Sequence, residues 1–399
     1  MPQKHDLMAN IQTDADLLGP YRRRVQALLA RDGYPPGAWS MDEKLSGREL
    51  VLYGAGEASH LFVETVMATH GVRPALVLDR SFNVGDSFHG VPACPPNGCK
   101  WSEARRREAM VVVATGKPAL EKEMVAAALA LGFGEVVPMM SIYELHQPFS
   151  EPLELDLEGY SFFHRNAESI LDAFDLMEDN QSQAIFWGVL QNHCLRRPES
   201  LPMRPKEEHN FPEDLPFSIN YDQYLCCGSP DEWVYSRLLK GRTKRMVVVD
   251  PAKDLMLPAT GVEADVTLIP CALDEDDQIV PFTRTSIERG STWGCRVLQS
   301  GETFARATRV DTVIGTMSPT FISMDIEGAE LRALEGAKKT ITKSRPALAI
   351  CVYHSVDHLW TIPRWINALG LGYRFWLRNY CSFTSETVLY AYSDTYHNN

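Results

Sequence analysis

Short apolar runs alternate with amphipathic helical patterns along the first part of this chain. Helical patterns cover residues 59–70 and 120–131. The apolar runs are residues 49–53, 75–79, 110–114 and 135–138. Continuous apolar runs separated by helices indicate parallel strands that are buried on both faces. We therefore predict an α/β domain with a doubly wound sheet over residues 1–150, whose first element is a helix at 15–31.

The same alternation returns after a helical connector, which we place at residues 151–212. The connector carries helical patterns at 161–177 and 181–195. Beyond it, apolar runs predict strands at residues 223–227, 246–250, 266–272, 321–326, 347–353, 373–377 and 387–392. The last two runs are rich in aromatic and β-branched residues, which favours an antiparallel hairpin on the edge of the sheet. Residues 213–399 are thus predicted to form a second doubly wound α/β domain.

Composition narrows the class of protein. The chain has 399 residues and a net charge of −13 at pH 7, which disfavours nucleic acid as a partner. No apolar run is long enough to span a membrane, and the first residues lack the pattern of a secretory signal. The nine cysteines form no disulfide framework, and Cys94 and Cys99 have no matching ligand pair. We expect a reduced, cytoplasmic protein without a metal site.

A glycine turn follows the first apolar run. Gly54 and Gly56 lie between a predicted strand and a predicted helix, Ser59 takes the place of a third glycine, and Asp79 ends the next strand. Glycines at this place allow a phosphate to approach the backbone, and the acid can accept hydrogen bonds from a ribose. One hypothesis is therefore a nucleotide site formed by these four residues. The alternative is a tight turn in a domain used for assembly or sensing.

Two acids end a strand in the second half of the chain. Asp325 and Glu327 are separated by one residue, so they point to the same side of a strand, and Gly328 and a helix follow. Carboxyl ends of strands in open α/β sheets border the ligand crevice, which favours a site for a cationic or proton-exchanging ligand. The alternative is that acids such as Glu327 only stabilise the start of a helix.

An ordered series of short motifs extends this feature. The series is Asp325-Ile-Glu-Gly-Ala-Glu330, then Tyr353-His354, then Trp360-Thr-Ile-Pro363, and finally Glu386-Thr-Val-Leu-Tyr-Ala391. Together these motifs resemble the FkbM family of S-adenosylmethionine-dependent methyltransferases over about the last 180 residues. The resemblance implies a Rossmann-like methyltransferase fold and methyl transfer, which we expect on a hydroxyl of a sugar or polyketide-like molecule.

The resemblance also implies roles for individual residues. Gly228 and Ser229 stand where the family has its cofactor-binding glycine turn, and Asp250 stands where an acid accepts the ribose hydroxyls. Ala272 takes the place of a residue beside the adenine. We expect His354 to be the general base, because imidazole titrates near neutral pH. Asp325 or Glu327 would then orient His354 or the cationic end of the cofactor.

The glycine turn also departs from the family pattern. Cys226 stands where typical members have an acid, Glu232 where they have a second glycine, and Ser323 where they have a basic residue. A second hypothesis is therefore a non-catalytic binding or assembly protein with a degenerate cofactor turn. A third is a protein that binds a nucleotide or nucleotide-sugar through its N-terminal domain. The expected partner is a small molecule or glycan. Two alternatives stay open for the connector helices: they shape the acceptor site, or they form the interface of a homo-oligomer.

Overall fold

The computed structural model describes most of the chain. The described residues are 18–31, 47–67, 71–115, 118–139, 142, 160–195, 201–228, 241–251, 264–282, 304–381 and 384–394. Within these ranges, no helix is both long enough and apolar enough to cross a membrane.

The first α/β unit contains a six-stranded sheet. Its strands are β1 (Leu50–Tyr53), β2 (Leu76–Leu78), β3 (Asp86–Phe88), β4 (Val91–Cys94), β5 (Met110–Val113) and β6 (Glu135–Pro138). Their order is β3-β4-β2-β1-β5-β6, and only β3 runs antiparallel to its neighbour. The chain moves outward from β1 to β2 and β4, then returns to place β5 on the other side of β1. This reversal makes a doubly wound sheet with its switch point between β1 and β5, as the apolar runs predict.

Helices accompany these strands. In chain order the chain forms α1 (Leu18–Leu29), α2 (Glu57–Phe62), α3 (Glu103–Glu108) and α4 (Pro118–Ala130), and a π-helical turn (Val63–Met67) follows α2 directly. Apolar side chains on both faces of the sheet are buried: Val51 and Val111 lie in the core on one face, and Leu52 and Val112 in the core on the other. The three valines and the methionine of β5 are all buried, which explains why this strand has no alternating pattern.

Helix α1 packs on the connector rather than remaining a separate element. The connector forms α5 (Ser161–Arg165), α6 (Ala167–Asp175) and α7 (Asn180–Leu195). Val25 and Leu29 of α1 lie in one hydrophobic core with Phe163, Ile170 and residues of the second sheet. His164 Nδ1 also lies 2.9 Å from the carbonyl oxygen of Leu29. The boundaries at residues 150 and 212 stay a prediction.

The second α/β unit contains a seven-stranded sheet. Its strands are β7 (Gln223–Cys227), β8 (Arg245–Val249), β9 (Asp265–Ile269), β13 (Phe321–Met324), β14 (Ala347–Cys351), β15 (Tyr373–Asn379) and β16 (Thr387–Ser393). The order is β15-β16-β14-β13-β7-β8-β9, with β16 antiparallel to both of its neighbours. The mixed α/β fold and the antiparallel hairpin β15–β16 at the sheet edge confirm the predicted architecture.

A small third sheet was not predicted. It consists of β10 (Ala272–Leu273), β11 (Gln278–Pro281) and β12 (Phe304–Thr308), in the order β10-β12-β11. The predicted strand at 266–272 is therefore two strands, because β9 ends at Ile269 and Pro270 follows before β10 begins. Proline cannot donate to a β-ladder, which accounts for the break.

The remaining helices cover the second sheet. They are α8 (Val310–Val313), α9 (Glu330–Glu335), α10 (Lys338–Ser344) and α11 (His358–Ala368). Arg345, which follows α10, takes a left-handed conformation with φ of 43° and lets the chain turn into β14. Trp360 of α11 is buried and packs against Phe162 of α5 with ring centroids 5.7 Å apart.

A buried arginine joins the connector to the sheet edge. Arg378 of β15 is 1% exposed, and its guanidinium contacts Asp179 at 2.8 Å and Asp214 at 2.7 Å. It also donates to the hydroxyl of Ser182 at 3.1 Å. Burial alone would raise the pKa of Asp179, but the bonds from Arg378 and Ser182 outweigh it and lower that pKa. The buried guanidinium of Arg378 thus links the connector to the edge strand β15.

We expect Arg378→Met to lower the free energy of unfolding by about 3 kcal/mol, because two carboxylates then lose their buried partner. Arg374→Met is the matched control, since Arg374 lies on the same strand but half of its side chain is exposed beside Glu178. The control should cost less than about 1 kcal/mol. Urea unfolding monitored by circular dichroism measures both, and equal losses would contradict the role of Arg378.

Candidate active site

The switch point of the second sheet lies between β7 and β13. The chain runs from β7 outward to β8 and β9, and it returns to place β13 and β14 on the other side of β7. At this point Gly228 N donates to Val249 O at 2.9 Å, and Asp325 N donates to Cys227 O at 2.9 Å. Crevices that bind ligands in open α/β sheets form beside the carboxyl strand ends at such a point.

Gly228 is required by the close approach of these two strand ends. Its φ is 100°, and a Cβ atom at this position would lie 2.0 Å from the carbonyl oxygen of Asp325. No larger residue fits without moving one of the strands. Ser229, the other predicted residue of this turn, lies outside the described residues, as does Glu232.

The other two residues predicted to bind the cofactor, Asp250 and Ala272, lie in different parts of the second unit. Asp250 directly follows β8, is buried, and lies at the same sheet edge as Gly228; its amide donates to Ile269 O at 3.2 Å. Ala272 is also buried, but it pairs with Ala307 and packs with Val280 inside the small third sheet. The side chain of Ala272 therefore fills that sheet's core, which does not favour the predicted contact with an adenine.

A buried carboxylate organises the turn after β13. Glu330 is fully buried, and its Oε1 accepts a hydrogen bond from Ile326 N at 2.9 Å and lies 2.7 Å from His354 Nδ1. His358 Nδ1 is 3.3 Å from the other carboxylate oxygen. Glu327 takes a left-handed conformation with φ of 56°, and Gly328 follows with φ of 101°. A left-handed glutamate costs about 1 kcal/mol, which the bonds to Glu330 offset.

His354 lies among three carboxylates. In addition to Glu330, its Nε2 is 3.4 Å from Asp325 Oδ1 and 3.6 Å from Glu327 Oε2. Burial lowers the pKa of His354, but the charges of Glu330, Glu327 and Asp325 outweigh it and raise the pKa to about 10. The imidazole is therefore cationic at neutral pH. This does not fit the expected neutral base, because a cation has no free lone pair to accept a proton.

Asp325 is the acid of this group that solvent reaches most easily. About 41% of its side chain is exposed, and the Tyr353 hydroxyl donates to it at 3.4 Å. The partial loss of hydration raises the pKa of Asp325, although the nearby His354 opposes this. The structure thus brings together the three predicted catalytic residues, Asp325, Glu327 and His354.

Sequence patterns missed further members of this site. His209 is buried, and its Nε2 is 3.6 Å from Glu386 Oε2. Nitrogen, oxygen and sulfur atoms of His209, Asp325 and Cys351 all lie within 4.8 Å of one another. Nothing in the sequence pointed to His209, because it comes from the irregular stretch before β7. Glu330 and His358 did offer a signal, since Glu330 closes the acidic motif and His358 follows His354 by four residues.

The departures from the family pattern at Cys226 and Ser323 are neighbours in space. Cys226 of β7 and Ser323 of β13 are register partners, and the Ser323 hydroxyl donates to Cys226 Sγ at 3.6 Å. Tyr224 OH lies 2.7 Å from the same hydroxyl. Burial raises the pKa of the Cys226 thiol to about 11, so the group is neutral. Both side chains are neutral and bonded to each other, so these two positions leave no buried charge unpaired.

The glycine turn of the first unit is held by its own residues. Gly54 has φ of 118°, and a Cβ there would lie 2.4 Å from Ala114 O. Asp79 accepts hydrogen bonds from Ala55 N at 3.0 Å and from Ser81 N at 2.9 Å, while Ser59 is buried beside Ala114. The four predicted residues do border one turn, with Gly56 exposed. The carboxylate of Asp79 already stabilises this turn by accepting hydrogen bonds from its backbone. Nucleotide binding at the turn stays a prediction.

These features define a Rossmann-like methyltransferase fold with an acidic, histidine-containing site at its switch point. The model of the Methyltransferase FkbM domain matches residues 234–375. No curated protein sequence matches the chain significantly. A solved structure, Methyltransferase FkbM from Methylobacillus flagellatus KT, has the same fold, with a TM-score of 0.66 and 18% sequence identity. The match covers 94% of this chain and 99% of that one. The family match supports a methyltransferase.

A double-mutant cycle tests the neutral pair. We expect Cys226→Asp alone to lower the free energy of unfolding by about 3 kcal/mol or more, because it buries an unpaired charge. Cys226→Asp with Ser323→Lys should recover at least about 1 kcal/mol of that loss through pairing across the two strands. Chemical unfolding of the four proteins measures the coupling. Additive losses would show that the two positions are independent.

The charge of His354 can be observed directly. We expect nitrogen NMR shifts of this imidazole to stay those of an imidazolium up to a pH of about 9, because its pKa is raised to about 10. Glu330→Gln should lower that pKa, since it removes the nearest negative charge. His164, whose Nδ1 faces a backbone carbonyl instead of an acid, serves as an internal reference. Titration of His354 near pH 6.5 would restore the neutral-base hypothesis.

Proposed function

We propose that this protein is an S-adenosylmethionine-dependent methyltransferase that methylates a hydroxyl of a sugar or polyketide-like molecule. The observation that carries the proposal is the switch point between β7 and β13. There, Gly228, Asp250 and Asp325 follow three adjacent strands at one sheet edge. This edge is also where the acidic motif of the FkbM domain lies.

The residues at this edge fit the methyl donor. Asp250 offers two carboxylate oxygens to the ribose hydroxyls, and the close turn at Gly228 leaves the backbone free of side-chain bulk. Bound S-adenosylmethionine supplies an activated methyl group on a sulfonium. Asp325, Glu327 and Glu330 outnumber the charge of His354, so the edge is negative and attracts this cationic end.

Asp325 is the residue we propose to accept the proton of the acceptor hydroxyl. Its carboxylate reaches solvent, its raised pKa makes it a better base than an ordinary aspartate, and Tyr353 restricts its orientation. His354 is a positioning residue, because its cationic ring lies between Asp325 and Glu330 and holds both in place. Glu327 completes the negative side of the site.

The net negative charge of the site also restricts the class of acceptor molecule. A phosphate or carboxylate group would be repelled by the excess of carboxylates, whereas a neutral hydroxyl would not. Neutral, hydroxyl-rich molecules such as sugars and polyketide-like compounds are therefore the favoured class. Calorimetry tests the binding of the methyl donor, and activity assays test which acceptor is methylated.

Isothermal titration with S-adenosylmethionine tests the donor site. We expect saturable binding to the full chain, and Asp250→Asn should weaken it at least ~10-fold, because charge-assisted bonds to the ribose are lost. Asp265→Asn is the matched control, since Asp265 starts β9 at the opposite end of the sheet and is exposed. A flat titration at millimolar donor would overturn the enzyme proposal in favour of a non-catalytic binding role.

Methyl transfer itself is tested with isotopically labelled donor and a panel of glycosides and polyols. Products should carry one added methyl group by mass spectrometry. Asp325→Asn should lower kcat by ~100-fold or more, as expected for loss of a general base. Glu103→Gln, an exposed acid of α3, should leave kcat unchanged. Equal rates for Asp325→Asn and the unaltered protein would exclude Asp325 as the base.

A further inference from the structure

The first α/β unit contains a cluster that the methyltransferase proposal does not use. We propose that His60, Glu64 and His89 form a binding site for a divalent transition-metal ion of the Zn²⁺ class. The ligand atoms of the three side chains all lie within 4.8 Å of one another. This site is independent of the donor site described above.

Two of the ligands come from one helical segment. His60 lies in α2, and Glu64 lies four residues later in the π-helical turn Val63–Met67. Residues four apart share one face of a helix, so the imidazole and the carboxylate point to the same side. Single π-helical turns are frequent at functional sites because they redirect side chains locally. The change from α-helical to π-helical geometry thus occurs between Phe62 and Val63, directly before the second ligand, Glu64.

The third ligand is held in an unfavourable backbone conformation. His89 joins β3 to β4 with φ of 49°, the left-handed region that non-glycine residues avoid. Arg73 Nη2 donates to the carbonyl oxygens of His89 and Gly90, each at 3.2 Å, and this fixes the turn. Left-handed residues cost of order 1 kcal/mol and are retained where the surroundings or a function require them. A histidine at this position brings its ring to His60.

The two imidazoles are in direct contact. His60 Nδ1 lies 2.7 Å from His89 Nε2, and the buried ring of Phe88 packs against both, with centroid distances of 4.6 Å and 4.7 Å. In the metal-free protein one nitrogen donates a hydrogen to the other. An ion would displace that hydrogen. Ligand nitrogens around tetrahedral Zn²⁺ are ~3.3 Å apart, so the rings need to separate by only ~0.6 Å.

The ligand set selects the class of ion. Two imidazoles and one carboxylate suit Zn²⁺, Ni²⁺ and Cu²⁺, whereas Mg²⁺ and Ca²⁺ favour sites built from oxygen alone. Three protein ligands leave a fourth position open for water or another small ligand. No sequence motif announces this site, because His60 and His89 are separated by 28 residues and meet only through the turn between β3 and β4.

Zinc content of the full chain tests the site. After dialysis against micromolar Zn²⁺ and removal of free ion, inductively coupled plasma mass spectrometry should find one equivalent fewer in His89→Gly than in the unaltered protein. Glycine accepts the left-handed conformation without strain, so His89→Gly removes a ligand while the fold should remain or gain stability. Because only the difference in zinc content between the unaltered protein and His89→Gly is used, zinc held by cysteines elsewhere in the chain does not affect the result.

Thermal unfolding supplies the second measurement. Zn²⁺ should raise the unfolding midpoint of the unaltered protein and of Glu103→Gln by several degrees, whereas His60→Ala and His89→Gly should lose this rise. Mg²⁺ at the same concentration should have no effect on any of them. Equal zinc content and equal midpoint shifts in the unaltered protein and His89→Gly would overturn the proposal, as would an equal response to Mg²⁺.

Discussion

The arrangement of the site in the second sheet depends on the buried carboxylate of Glu330. A charge without access to water is costly, and burial alone would raise the pKa of Glu330. The contacts with His354 and His358 outweigh that effect and lower the pKa, so the group stays ionised. The same carboxylate accepts the amide of Ile326 and shapes the turn that carries Glu327. One buried charge therefore determines the backbone of the motif and the charge of the histidine beside it.

This dependence restricts the pH at which the arrangement is stable. The lowered pKa of Glu330 stabilises the fold above its ordinary value of 4.5, and this contribution is lost as the pH falls below it. The raised pKa of His354 stabilises the fold below 6.5, and that contribution is lost as the pH rises through about 10. Between pH 4.5 and 6.5 both contributions are present in full, and near neutrality Glu330 retains all of its own while His354 retains most of its own.

At the switch point of the second sheet, the acids lie at the strand ends and the facing pair inside β7 and β13 is neutral. Asp250 and Asp325 follow β8 and β13, whereas Cys226 of β7 and Ser323 of β13, which lie two residues before Gly228 and Asp325, are neutral and bonded to each other. A carboxylate at Cys226 would need a cationic partner at Ser323, because the two side chains face each other in the core. Cys226 and Ser323 are therefore a matched neutral pair within the sheet. They do not by themselves remove the strand-end acids on which the proposed donor site relies.

The sequence by itself determined the strands of the second large sheet, four of the six strands of the first, the terminal hairpin and the acidic motif after β13; the short pair β3–β4 was not predicted. Continuous apolar runs report burial on both faces, and that signal is local. Only the tertiary structure decided which side chains meet. It brought His209 to both Asp325 and Glu386, surrounded His354 with three acids, enclosed Ala272 in a small sheet, and placed His60 against His89. Each of these depends on contacts between residues far apart in the chain. A pKa depends on the charges and water around a group, so the cationic state of His354 became visible only when its neighbours were in place.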